Sequence, residues 1–150
     1  IYHKTPLGVL AVCASKRGIV SVKFDDENDA NTSASQIPVL AQCTSELEEY
    51  FDKKRKHFTV QLDWSGATDF NKKVWTALCE ISHGKVMTYA QMATQIGHPK
   101  AARAVGRANG FNPIAIIVPC HRLIGTDGHL RGYAYGLERK KALLDLERNL

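Results

Sequence analysis

The sequence predicts an α+β chain folded as two lobes, a mixed sheet-and-helix lobe over residues 1–65 and a mainly helical lobe over residues 66–150. Three observations support that reading. Two β-branched runs at residues 7–14 and 18–24 flank a short polar turn, and one helical-period apolar stripe follows at residues 38–51. Past Trp64 the chain becomes a series of short helical segments punctuated by glycine and proline. At 150 residues the chain is long enough to bury roughly 70% of its unfolded surface. Its 44% hydrophobic and 23% charged content excludes a disordered polymer or a collagen-like repeat. No apolar run approaches the ~18 residues of a membrane span.

In the first lobe, Ser15-Lys16-Arg17 joins the two runs, with Gly18 available for a positive φ, so a hairpin is expected. Asp25-Asp26-Glu27-Asn28-Asp29 and Asn31-Thr32-Ser33 read as a polar surface loop. Leu40, Cys43, Leu47, Tyr50 and Phe51 recur at helical spacing and Pro38 suits a first turn, which predicts a helix over residues 38–51. Lys53-Lys54-Arg55-Lys56 is a solvated turn, and residues 58–62 read as a strand. Cys13 and Cys43 fall in apolar patterns and are expected as core thiols.

Residues 64–68 join the lobes. A helix follows, capped by Thr68 or Asp69, with Phe70, Val74, Leu78 and Ile81 on one face. Residues 84–88 form a turn and a short extended piece. Two short helices, residues 89–96 and 100–109, then meet across Gly97-His98-Pro99. That is the outline of a helix-turn-helix, although many helical hairpins bind nothing. The second helix is unusual. A bland surface helix carries Glu and Lys, whereas Ala101, Ala102, Ala104 and Ala108 allow close approach and leave Arg103 and Arg107 to reach out. This suits a phosphate backbone or groove. Charge agrees: residues 1–63 carry eight Lys/Arg against nine Asp/Glu, and residues 64–150 carry twelve against six. A basic second half fits a polyanion, and fits a merely soluble surface equally well.

The chemistry lies further on. Residues 114–118 are apolar and β-branched, so a buried strand is expected, ending at Pro119. Cys120-His121-Arg122 follows. An imidazole and a guanidinium are the neighbours that lower a thiol pKa and make a nucleophile; a structural cysteine beside an incidental histidine is the alternative. In the last helix, residues 137–150, Leu143, Leu146 and Leu150 form an apolar stripe with Glu147 in or beside it. A carboxylate there either orients a histidine, as in a Cys-His-acid relay, or pairs at the rim with Arg or Lys.

These residues resemble the O6-alkylguanine-DNA alkyltransferases. Ile117-Val118-Pro119-Cys120-His121-Arg122 resembles the family's active-site signature. Gly84-Lys85-Val86-Met87-Thr88-Tyr89, Lys100-Ala101-Ala102-Arg103-Ala104-Val105-Gly106, Asn112-Pro113 and Gly132-Tyr133 resemble its flanking motifs in order. The likeness is strong over residues 66–150 and loose before, chiefly at Thr5-Pro6-Leu7-Gly8. It implies a ribonuclease-H-like N-terminal lobe and a winged helix-turn-helix C-terminal lobe. Cys120 would take the alkyl group from guanine O6, His121 would act as base through a water, and Glu147 would orient it. Asn112 would hold the turn beside the active site, and Tyr89 would protonate guanine N3. Arg103 would fill the gap left by the flipped nucleotide, with Thr88, Ala102, Arg107 and Arg122 also on the DNA. Tyr133, Ala134 and Tyr135 would line the base pocket, and Lys140 would contact or brace it. The implied partner is double-stranded DNA carrying O6-alkylguanine, bound through the minor groove by a monomer; the sequence neither selects nor excludes O4-alkylthymine as a second substrate. Because guanine O6 lies inside the duplex, the nucleotide must be extruded first. Because a thioether is stable, the protein would act once.

Two features set this chain apart. Tyr135 places a bulky ring where many relatives have small residues, a pattern resembling bacterial adaptive-response (Ada-type) C-terminal domains, and it argues against large O6 substituents. His3, Cys13, Cys43 and His57 lack ligand spacing for the structural zinc of some relatives, so no metal or other cofactor is expected. Cys13, Cys43, Cys79 and Cys120 contain no C-x-x-C pair, and Ile1-Tyr2-His3-Lys4 lacks the apolar core of a secretory signal. Reduced thiols in the cytoplasm are expected. The rival readings fit less well. An alkyltransferase-like lesion sensor would lack the thiol, a sequence-specific regulator needs base-reading side chains along the second helix, and a Cys-His hydrolase needs an oxyanion hole.

Overall fold

The structure, a computed structural model, describes residues 1–30 and 35–148. The expected loop at Asn31-Thr32-Ser33 and the last stripe position, Leu150, lie outside those residues. The chain forms two compact units, residues 1–65 with 113–115 and residues 66–112 with 116–150.

In the first unit, β1 (Tyr2–Thr5), β2 (Gly8–Ala14) and β3 (Ile19–Phe24) form an antiparallel sheet in that order. The expected hairpin forms between β2 and β3. Leu10 pairs with Phe24 and Val12 with Val22, and both residues of each pair are buried. Gly18 makes the turn at φ 155, where a Cβ would lie 2.5 Å from the Gln61 carbonyl oxygen. The helix α1 (Pro38–Phe51) has the predicted bounds and buries Leu40, Cys43, Leu47 and Tyr50. β1 is new relative to the sequence reading, because four residues with a single buried position carry no visible period.

Three expectations need correction. Cys13 is exposed, not a core thiol, because strand alternation turns Val12 inward and therefore Cys13 outward. Residues 58–62 form no strand beyond a single bridge from Leu62 to Ile19. The reason is buried Glu46, whose carboxylate accepts the Thr59 N–H at 2.8 Å and the Val60 N–H at 3.2 Å. Those donors are taken from any ladder. Residues 114–118 are buried as expected but are not a strand. Only Ile114 bridges, to Val22 of the first unit, and the backbone then turns through Ile116 at φ 72.

The second unit starts with α2 (Asp69–Cys79), capped by Thr68, whose hydroxyl accepts from the Asn71 N–H. Strand β4 (Met87–Thr88) leads directly into α3 (Tyr89–Gln95) through a reciprocal cap between Thr88 and Gln91. After the turn at Gly97 comes α4 (Ala102–Gly110). A single helical turn at Cys120–Arg122 enters β5 (Leu123–Ile124), which lies parallel to β4. The described part of the last helix is α5 (Leu137–Arg148), which buries Leu143, Leu144 and Glu147. Val74, Leu78, Met92, Val105, Leu123 and Leu143 form the core beneath these helices. The fold class is the predicted α+β, a sheet lobe followed by a helical lobe.

Candidate active site

Two asparagines hold the turn that carries the cysteine. Asn112 Nδ2 donates to the Val118 carbonyl at 2.8 Å, and Asn109 Nδ2 donates to the Cys120 carbonyl at 3.2 Å. The thiol of Cys120 is thus fixed at the wall of a cavity of about 200 Å³, whose aromatic sides are Tyr89, Tyr133 and Tyr135. Gly106 of α4, Asn112 and Ala134 also line it. A Cβ at Gly106 would rest 3.7 Å from the Tyr89 ring, so a larger residue there would crowd the cavity wall. Tyr133 and Tyr135 meet edge to face, with ring centroids 5.5 Å apart.

Behind the thiol lies a buried charge cluster. His121 Nε2 sits 2.6 Å from Glu147 Oε2. Arg122 closes the other side of the carboxylate, with Nε 2.8 Å from Oε1 and an Nη 3.0 Å from Oε2, and donates to the Ile81 carbonyl at 2.6 Å. Burial works against the Glu147 charge, but the hydrogen bond from His121 and then the hydrogen bonds and charge of Arg122 hold its carboxyl far below the usual range. An ionised carboxylate only accepts, so Nε2 of His121 carries the proton and Nδ1 keeps the lone pair. Nδ1 is buried and has no hydrogen-bond partner in the structure. Burial also lowers the His121 pKa, against the pull of Glu147, so the resting imidazole is neutral.

This cluster corrects two expectations. Arg122, expected on the DNA, is only 6% exposed, and its guanidinium is committed to Glu147. The Cys120 thiol is not activated at rest. Burial pushes its pKa up, and the opposing Asn112 side chain, Lys140 and nearby backbone N–H groups do not overcome that. A charge count along the sequence cannot detect this, because it gives no measure of desolvation.

The remaining expected residues fall around the cavity, on α4 and α5, and at the cap of α3. The Tyr89 hydroxyl donates to the Arg131 carbonyl at 3.2 Å, and Lys140 Nζ donates to the same carbonyl at 2.7 Å. Lys140 is buried, which draws its pKa down to about 8 against the pull of Cys120. Arg103 and Arg107 are exposed on α4, Ala102 begins that helix and Thr88 caps α3. Asn109 was missed by sequence reading. Its only signal is an amide side chain in the last turn of an alanine-rich helix, and its burial becomes visible only in three dimensions. Among the described residues no cluster of His, Cys, Asp and Glu has the arrangement of a metal site. No described helix is long and apolar enough to cross a membrane.

Two family descriptions match the chain. Residues 69–149 match "6-O-methylguanine DNA methyltransferase, DNA binding domain", and residues 1–64 match the "ribonuclease-like domain" of the same family. The chain belongs to the 6-O-methylguanine DNA methyltransferase family. Within that family it is similar to the methylated-DNA–protein-cysteine methyltransferase of Mycobacterium tuberculosis, with 55% identity over 99% of this chain and 93% of the relative. It is similar to the protein of that name from Methanosarcina mazei, with 46% identity over 99% and 97%. Among solved structures, the Mycobacterium tuberculosis OGT in complex with DNA superimposes with a TM-score of 0.87. The superposition has 42% identity and covers 98% of this chain and 91% of the other. The methyltransferase family assignment accounts for both lobes of the fold.

Proposed function

We propose that this protein repairs DNA by moving the alkyl group of O6-alkylguanine onto its own Cys120, once per molecule. The observation that carries the reading is the Cys120 thiol at the wall of an aromatic cavity, backed by the buried His121–Glu147 pair. Membership of the 6-O-methylguanine DNA methyltransferase family, and similarity to a relative named for methyl transfer to a protein cysteine, agree with it.

The reaction follows from the groups present. In the extruded nucleotide the base enters between Tyr89, Tyr133 and Tyr135. The Cys120 proton passes, through a bridging water, to Nδ1 of His121, and Glu147 stabilises the imidazolium that forms. The thiolate sulfur attacks the alkyl carbon, an S–C bond forms, and the C–O6 bond breaks with its electron pair going to O6. Tyr89 supplies a proton to N3 so that guanine leaves neutral, and Lys140 offsets the resulting phenolate charge. A thioether has no ready leaving group, so the protein is spent. Because the resting thiol is held protonated by burial, the nucleophile forms only with substrate in place, which spares it from stray electrophiles.

The partner is double-stranded DNA, approached from the minor groove by α4, with Arg103 filling the vacated stack and the protein acting as a monomer. A reactive thiol of this kind suits the reducing cytoplasm. The test is intact mass after mixing with duplex DNA containing O6-methylguanine: one addition of about 14 Da on Cys120, absent in Cys120→Ser. Repeated turnover, or methyl on Cys13, Cys43 or Cys79, overturns the proposal.

A further inference from the structure

One face of α4 carries more than its two arginines. Arg103, Arg107 and Phe111 follow one another at four-residue spacing, so they share a side of the helix. All three are exposed, and Phe111 is 65% exposed, the highest value among the large exposed hydrophobics of the described residues. Phe111 closes the helix in an α-helical conformation, so the stripe continues through it. On either side of it in sequence, Gly110 and Asn112 both line the cavity that holds Cys120.

From this placement we infer that Phe111 is a DNA contact, packing its ring on the apolar surface of a nucleotide three to four steps from the extruded one. The inference rests on the proposed function for the identity of the partner, and adds a residue and a kind of contact to it. Charge complementarity selects the occupant. Two guanidiniums on the same face call for a polyanion, and an exposed aromatic beside them calls for one that also offers apolar faces. DNA offers both, as phosphate and as deoxyribose or base. The axial distance from Arg103 to Phe111 is about 12 Å at helical rise, which spans between three and four base-pair steps. Arg103 at the vacated stack and Phe111 three to four steps along therefore fit one short stretch of duplex. The ring also costs little to order on binding, because it has only two rotatable bonds and is followed by a buried asparagine.

The experiment measures binding of duplex DNA by the full chain across a range of salt. Phe111→Ala is expected to weaken binding about tenfold at every salt concentration with an unchanged salt slope, because no phosphate contact is lost. Arg107→Ala is expected to reduce the slope by about one. Phe111→Trp restores affinity. Reaction with the free base O6-methylguanine, which has no flanking nucleotides, separates this role from pocket chemistry: Phe111→Ala lowers the duplex rate about tenfold relative to the free-base rate. An abasic site scanned over the third and fourth positions from the extruded nucleotide abolishes the effect of Phe111→Ala if the ring meets a base and preserves it if the ring meets a sugar. Binding by Phe111→Ala within twofold of wild type overturns the inference. So does an equal loss on the free base, which makes Phe111 a brace for the Asn112 turn. A wild-type protein that never methylates Cys120 overturns the proposed function instead.

Discussion

Nε2 of His121 and Oε2 of Glu147 are 2.6 Å apart, and both side chains are fully enclosed. Arg122 holds the same carboxylate with two further hydrogen bonds. One anion thus serves two tasks. It neutralises a buried guanidinium, and it fixes which nitrogen of the neighbouring imidazole is free to take a proton. Glu147 is held on α5, while His121, Arg122 and the cysteine they serve are on the turn before β5, so the site depends on the docking of the last helix.

That pairing sets the response to acid. Folded His121 binds a proton more weakly than its ordinary pKa of 6.5, and folded Glu147 more weakly than its ordinary 4.5. For both, the unfolded chain binds more protons, so stability falls as pH falls. The His121 contribution is complete above 6.5 and is lost below it, and the Glu147 contribution starts to be lost below 4.5. Urea midpoints are expected to decline between about pH 6.5 and pH 4.5 in wild type and to flatten over that window in His121→Gln. An identical decline in the variant assigns it to other groups.

Arg103 is exposed on α4 and has no role in folding that the structure indicates. Arg103→Ala is expected to slow methyl removal from duplex DNA by one to two orders of magnitude, roughly the cost of an unfilled stack, and to slow removal from single strands much less. Single-turnover rates on both substrates decide it. Equal slowing means that the arginine acts through general electrostatics.

Tyr135 lines the cavity and leans on Tyr133. A benzyl group on O6 needs open space beside the base, which a ring at the cavity wall reduces, whereas a methyl group needs almost none. A clash in a packed site costs about 1–3 kcal/mol, a factor of ten to a hundred in rate. Tyr135→Gly is expected to raise the benzyl-to-methyl rate ratio by that factor. A ratio that does not move means that the tyrosine swings clear.

Ile116 is fully buried and sits at φ 72, where β-branched residues are seldom found. Ile116→Gly relieves about 1–2 kcal/mol of backbone strain but removes a whole core side chain, a loss of about 2–5 kcal/mol for truncation to alanine alone. Packing wins, and chemical denaturation should report a net loss of about 2 kcal/mol. A more stable glycine variant would mean that the strain is the larger quantity.

Several features were legible in the chain itself. Local signals fixed the hairpin around Gly18, the bounds of α1, the Thr68 cap and the two short helices across Gly97, because period, caps and turn residues act over a few positions. The motif order around Cys120 led to the family. Tertiary structure decided the rest. The apolar run at residues 114–118 reads as a strand, yet burial alone does not distinguish a ladder from a packed turn, and here only Ile114 finds a strand to bridge. Arg122 beside Cys120 reads as an activating or DNA-binding cation. It is neither, because Glu147, 25 residues away in sequence, claims it in three dimensions. The protonation state of the thiol was hidden for the same reason. Sequence lists the charges, but the cost of burying them depends on how completely distant segments exclude water, and only the folded chain sets that.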